Sequence, residues 1–149
     1  VLAPVLTLLA SRPEGGRHMS RPVHFEIQCD DCERAKEFYA AVFGWRFEDY
    51  SAFVNAPYWG VVTGEEGMPG INGGLQPRPA PAPGAGQGTN AAVLTMGVED
   101  YDATEAKILA AGGQVALPKF ALPGMAWQGY YLDTEGNTFG IHEPDESAA

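Results

Sequence analysis

The sequence predicts an α+β domain of two tandem βαβββ modules, with a concave mixed sheet and the helices outside it. Three observations lead there. Apolar residues recur at strand and helix periods in turn along the chain. The same order of signals returns at one constant offset. A Pro/Gly segment without core-forming residues separates the two occurrences.

The first strand is Val23 to Gln28, where strict alternation puts Val23, Phe25 and Ile27 on one face and His24, Glu26 and Gln28 on the other. Asp30 or Asp31 can cap the helix that follows. Ala35, Phe38, Tyr39, Val42 and Phe43 recur at helical spacing, and Gly44 stops the helix. Trp45 to Tyr50 and Tyr58 to Thr63 read as further strands. In the second half Ala92 to Val98 is strand-like. Asp100 and Asp102 open a helix running to Ala111, Gly112 and Gly113 end it, and Gln114 to Leu117 and Trp127 to Leu132 are strands. Asp31 matches Asp100 and Gly44 matches Gly113, and the difference is 69 both times (100 − 31 and 113 − 44). Glu66-Gly67 ahead of Gly70-Ile71 matches Glu135-Gly136 ahead of Gly140-Ile141, so each half ends on a last strand.

These signals place an N-terminal extension at 1–20, one domain at 21–144 (modules about 22–76 and 89–144, linker 77–88) and a tail at 145–149. The extension begins with an apolar stretch, Val1 to Ala10, without the basic lead of a secretory signal, and the domain is expected to start near Met19. Two halves side by side bury the strand faces of Val23, Phe25 and Ile27 under helices and leave an inner hollow. His24, Glu26 and Gln28 face that hollow. Glu26 is costly there unless hydrated or paired, so the hollow is expected to be wet or to hold a ligand.

The net charge of −10 excludes a basic surface for nucleic acid or anionic membrane. The longest apolar run falls far short of the roughly 20 residues of a membrane span. Two cysteines supply no disulfide framework, and a cytoplasmic location is expected. There is no Gly-x-Ser-x-Gly elbow, and Gly84 to Gly88 follows a Pro-rich linker and not a strand, so it is no dinucleotide loop.

The string from His24 to Tyr39, with Phe43-Gly44-Trp45 after it, resembles the vicinal oxygen chelate superfamily of glyoxalase I, bleomycin-resistance proteins, fosfomycin-resistance enzymes and extradiol dioxygenases. Val98 to Asp102, Ala110 to Gly113 and Asp133 to Gly140 carry the likeness in the second half. The resemblance implies the glyoxalase/bleomycin-resistance fold. It also implies a divalent metal held by His or Gln early in each first strand and Glu near each last strand. His24 is the only position here that matches such a ligand. Its repeat partner is Val93, and the last-strand positions are Gly70 and Gly140, or Gly73 or Gly74 if the first half is shifted. No metal or other cofactor is therefore expected. Glyoxalase I activity is not expected either, because Gly140 stands where the resemblance implies a carboxylate that binds metal and moves the substrate proton.

The function expected is binding of a small organic molecule in the hollow by His24, Glu26, Gln28, Tyr58, Trp127, Tyr131 and His142. His24 and Glu26 are the candidate acid/base pair for metal-independent proton transfer at a carbonyl-bearing substrate. One alternative is a divalent-metal lyase, isomerase or dioxygenase with a substituted shell, for which His24, Glu26 and His142 are the available donors. A second is a dithiol redox protein using Cys29 and Cys32, a C-x-x-C at a strand-to-helix junction. Edge strands and exposed aromatics make a homodimer the expected assembly.

Overall fold

The computed structural model describes residues 24–84 and 93–149. Two four-stranded sheets and three helices make up this part of the chain. The first sheet has the order β1-β4-β3-β2, with β1 at Phe25–Cys29, β2 at Arg46–Asp49, β3 at Trp59–Val62 and β4 at Gly73–Pro77. The second has the same order one repeat later, β5-β8-β7-β6, with β5 at Leu94–Gly97, β6 at Gln114–Leu122, β7 at Ala126–Leu132 and β8 at Thr138–Pro144. In it β5 runs parallel to β8, while β8, β7 and β6 are antiparallel neighbours, so the sheet is mixed. The long helices are α1 at Cys32–Phe43 and α3 at Tyr101–Ala110, and a single turn, α2 at Ser51–Val54, lies between β2 and β3.

The repeat is visible in the capping chemistry. Of the two aspartates that could cap α1, Asp31 does so, accepting the Arg34 backbone N–H at 3.0 Å. Asp100, one repeat on, accepts the Ala103 N–H at 2.9 Å. Each satisfies a backbone donor that a helix start leaves without an intrahelical partner. Gly44 ends α1 in the left-handed region, at φ 70°, where a Cβ would be strained.

Three details differ from the sequence expectation. The last strand of the first half begins at Gly73, after the Gly70-Ile71 pair. Asn72 and Ile71 bind Thr63 in the preceding turn, which lengthens the connection before pairing resumes. β6 extends to Leu122, five residues past Leu117, because register shifts let it stay paired with β7. The turn of α2 has no amphipathic signal in a stretch of four residues.

Contacts divide the chain into two compact units. Among the described residues, one holds 24–27 together with Trp45–Gln76, and the other holds Gln28–Gly44 together with 77–84 and 93–149. In the first, Ile27, Val61, Leu75 and Trp45 are buried, and Phe25 meets Trp45 with ring centroids 5.7 Å apart. The second contains both long helices. Phe38, Tyr39 and Phe43 of α1 surround Phe139 of β8 at 5.8 to 6.3 Å between centroids, and Ile108 and Tyr101 of α3 are fully buried. Edge-to-face and tilted aromatic contacts of this kind add to the stabilisation from burying the rings.

Candidate functional site

Strand alternation in the first unit builds a polar face opposite the Ile27–Leu75–Val61 core. Gly60 and Gly74 are cross-strand partners on it. Each lacks a side chain, and a tyrosine fills the space. The Tyr58 hydroxyl lies 2.0 Å from where a Gly74 Cβ would be, and the Tyr50 ring comes within 2.5 Å of the same point on Gly60. The glycines let both rings lie down on the sheet.

The resting place of Tyr58 puts its hydroxyl between two other side chains. His24 Nε2 is 3.0 Å away, and Glu26 Oε1 is 3.5 Å away and accepts the tyrosine proton. Gln76 donates to the other Glu26 oxygen at 3.0 Å. Tyr50 donates to Glu48 on the same face. A tyrosine hydroxyl has one proton. When Tyr58 gives it to Glu26, His24 Nε2 must carry the hydrogen of the His24–Tyr58 bond. The lone pair of that tautomer is then on Nδ1, which is buried and has no hydrogen-bond partner among the described residues. Burial and the neighbouring Glu26 charge both raise the Tyr58 pKa, so the phenol stays protonated at neutral pH.

In the second unit, the hairpin of β7 and β8 pairs Gln128 with His142 and Tyr130 with Gly140, while β5 pairs Thr95 with Gly140. These residues share one face. His142 Nδ1 and Gln128 Oε1 are 2.8 Å apart. The Gly140 Cβ position is enclosed by Thr95 Oγ1 at 2.8 Å and by Gln128 Nε2 and Tyr130 Cε1 at 3.1 Å. Trp127 and Tyr131 alternate onto the opposite face, with α3. Tyr131 is fully buried and its hydroxyl meets those of Tyr101, at 2.7 Å, and the Glu105 carboxylate. Trp127 Nε1 donates to Asp145 at 3.0 Å, and Lys119 Nζ lies 4.8 Å from its ring centroid.

The structure thus brings His24, Glu26 and Tyr58 into one network. It places His142 beside Gln128, and it puts Trp127 and Tyr131 under α3. Gln28 belongs to the second unit. Its backbone oxygen accepts from Arg78 and Asn137, and its Oε1 is buried without a partner among the described residues. Sequence reasoning missed Gln76, Tyr50, Gln128 and Tyr130. The glycine pairs were the available signal, since a ring covers each bare patch of strand.

The family described as the Glyoxalase/Bleomycin resistance protein/Dioxygenase superfamily matches residues 21–141. The chain belongs to this superfamily. Among solved structures, the glyoxalase/bleomycin resistance protein/dioxygenase family enzyme from Burkholderia phytofirmans PsJN is 18% identical, with a TM-score of 0.61, over 82% of this chain and 97% of that one. The fosfomycin resistance protein FosX from Listeria monocytogenes is 12% identical, with a TM-score of 0.62, over 85% and 95%. TioX from Micromonospora sp. ML1 is 20% identical, with a TM-score of 0.60, over 85% and 100%. At these identities the likeness is one of fold. Comparison with curated proteins gives no match.

Superfamily membership raises the question of a divalent metal, and the residues present do not fit one. Val93 has no donor atom. The space a side chain at 74 would need is filled by the Tyr58 hydroxyl, and that at 140 by Thr95, Gln128 and Tyr130. His24 spends one nitrogen on Tyr58. Among the described residues no three His, Cys, Asp or Glu side chains converge as a metal shell would require. Among them, too, no helix is long and apolar enough to cross a membrane.

Proposed function

We propose that this chain binds a small organic molecule on the sheet face of His24, Glu26, Tyr58 and Gln76, without a resident metal ion. The observation that carries the reading is the unfinished network: the His24 ring is fixed through Nε2, while buried Nδ1 has no partner among the described residues. A buried acceptor of this kind calls for a donor from a ligand or water. The Tyr58 and Tyr50 rings offer apolar area beside it, and Glu26 and Glu48 offer acceptors, so the face suits a planar molecule with hydrogen-bond donors. Gln28 and His142 lie in the second unit and are proposed as ligand-binding residues of that unit, where Trp127 and Tyr131 support the fold from the helix side.

A second reading adds chemistry. With Nδ1 as its free lone pair, His24 is the general base, and the Tyr58–Glu26 pair stabilises the imidazolium that forms when it takes a proton. The substrate would carry its acidic C–H next to a carbonyl. We also propose a cytoplasmic homodimer, which light scattering on the purified protein tests.

The deciding experiment uses protein purified without chelator. A library of aromatic and carbonyl-bearing fragments is screened by NMR, with metal content measured in parallel. The expected result is fragment binding that shifts the His24 and Tyr58 signals and is lost in His24→Ala, in protein free of stoichiometric metal. Near-stoichiometric Ni, Zn, Fe or Mn that disappears in His24→Ala would overturn the proposal. Deuterium exchange into a bound carbonyl fragment, lost in His24→Ala, would establish the catalytic reading.

A further inference from the structure

The C-x-x-C sequence lies where β1 ends and α1 begins. Cys29 is the last residue of the strand and fully buried, while Cys32 is the first residue of the helix and only partly buried. Their sulfurs are 2.6 Å apart. No atom stands between the two sulfurs. The backbone between them is already held, because the N–H groups of Asp30 and Asp31 both donate to Glu135, at 3.0 and 2.8 Å. The loop therefore presents the two thiols to each other before any bond forms.

We propose that Cys29 and Cys32 are a modification site, a thiol pair converted to an intramolecular disulfide by a small neutral hydroperoxide. The proposal goes beyond the ligand-binding reading and does not depend on it. Cys32 is the attacking sulfur because it is the one that solvent reaches. Its thiolate takes an oxygen from hydrogen peroxide, the O–O bond breaks, and Cys32 sulfenic acid and hydroxide form. The Cys29 sulfur then attacks the sulfenic sulfur. The S–O bond breaks, the Cys29 proton leaves with the departing oxygen as water, and the disulfide is complete. In sum two thiols and one peroxide give one disulfide and two waters. An external dithiol reduces the disulfide back to the two thiols by exchange and is itself oxidised to a disulfide.

The surroundings select the oxidant. Asp30, Asp31 and Glu33 flank the pair, and these carboxylates repel anionic glutathione disulfide, whereas uncharged peroxide passes. Cys29 suits the resolving role better than the attacking one. Burial first, then Cys32 and the charges of Glu135 and Asp133, push its thiol well above the usual range. It keeps its proton until the sulfenic acid is beside it.

The test treats the reduced full-length protein with hydrogen peroxide, quenches with catalase, and alkylates under denaturing conditions with iodoacetamide. The expected wild-type product, denatured, has the mass of one chain less two hydrogens, carries no alkyl group, and yields one peptide linking Cys29 to Cys32 that a phosphine reductant opens. Cys29→Ser should stop at a Cys32 sulfenic acid captured by dimedone. Cys32→Ser, at the partly buried position, should leave Cys29 alkylatable after the same exposure. If Cys29→Ser does not fold, the wild type and Cys32→Ser decide the matter. Two alkylatable thiols in peroxide-treated wild type, a Cys32 sulfinic acid without a linked peptide, or disulfides only between chains would each overturn the proposal.

Discussion

Glu135 and Arg34 form a two-point ion pair across 101 residues of sequence. Arg34 Nε donates to Oε2 at 2.7 Å and Nη2 to Oε1 at 3.0 Å. Oε1 also takes the backbone N–H groups of Asp30 and Asp31. The Glu135 side chain is fully buried while that of Arg34 is half-exposed, so the carboxylate depends on these donors in place of water. Glu135→Ala leaves two backbone donors without their acceptor and is expected to cost about 2–4 kcal/mol, given typical values for charged buried hydrogen bonds. Arg34→Lys keeps the charge and loses the fork, so it should cost less. Urea unfolding of the three proteins checks the order.

The same pair sets an acid limb in stability. Burial opposes ionisation of Glu135, but Arg34 and the Asp31 N–H outweigh it and hold the carboxyl below the usual glutamate range. A depressed acid pKa stabilises the fold fully above the unfolded value, and that contribution is lost as pH falls through the folded one. Asp133 runs the other way. Burial raises its pKa above 3.8 against the bonds from Tyr39, Asn137 and Glu135, so its ionisation works against the fold as pH rises past that value. Thermal unfolding between pH 3 and 6 is therefore expected to show a smaller pH slope in Glu135→Gln than in wild type below about pH 4.5. An unchanged slope would assign the acid limb to other carboxylates.

Gly74 and Gly113 should respond differently to the same methyl group. At Gly74 the added Cβ meets the Tyr58 hydroxyl at 2.0 Å, the far end of a side chain that can swing away. At Gly113 it meets Ile108, including its backbone oxygen at 3.0 Å, and the Leu132 backbone oxygen at 3.1 Å, neither of which moves alone. Gly74→Ala is thus expected to release Tyr58 from His24 and Glu26 and to weaken fragment binding more than stability. Gly113→Ala should cost about 1–3 kcal/mol, the usual range for overpacking, and leave that network intact. Chemical shifts of the His24 ring together with unfolding midpoints separate the two effects.

Much of this architecture could be read in the chain itself, and particular residues show where that reading stops. The offset between Asp31 and Asp100 yields two equivalent helix starts, and both aspartates cap as expected. Alternation in β1 puts His24 and Glu26 on one side, where they share Tyr58. Alternation cannot say which of two adjacent rings turns inward. Tyr130 and Tyr131 are equivalent by period alone, and only pairing with Gly140 and Phe139 across the 133–137 turn assigns their faces. The Arg34–Glu135 clasp left no local trace, because its partners are far apart in sequence and neither residue type announces burial.

Tyr131→Phe tests the assignment of faces. In the wild type Tyr131 shares its hydroxyl with Tyr101 and Glu105 beneath α3. Burial first, then the bond to Glu105 and that to Tyr101, hold the phenol well above its ordinary pKa, so it stays neutral and donates. Without it the buried Tyr101 and the partly buried Glu105 lose a partner, and the fold should weaken by about 1–3 kcal/mol. Fragment affinity on the His24–Tyr58 face should not change, since the Tyr131 hydroxyl is spent on Tyr101 and Glu105. Tyr58→Phe should show the converse: little change in stability, because the ring still covers Gly74, and a clear loss of binding, because His24 and Glu26 lose the hydroxyl that joins them. Calorimetric unfolding and fragment titration on both variants decide it. Equal binding losses from the two would mean that the ligand reaches the helix side of the second sheet, and the proposed face would be wrong.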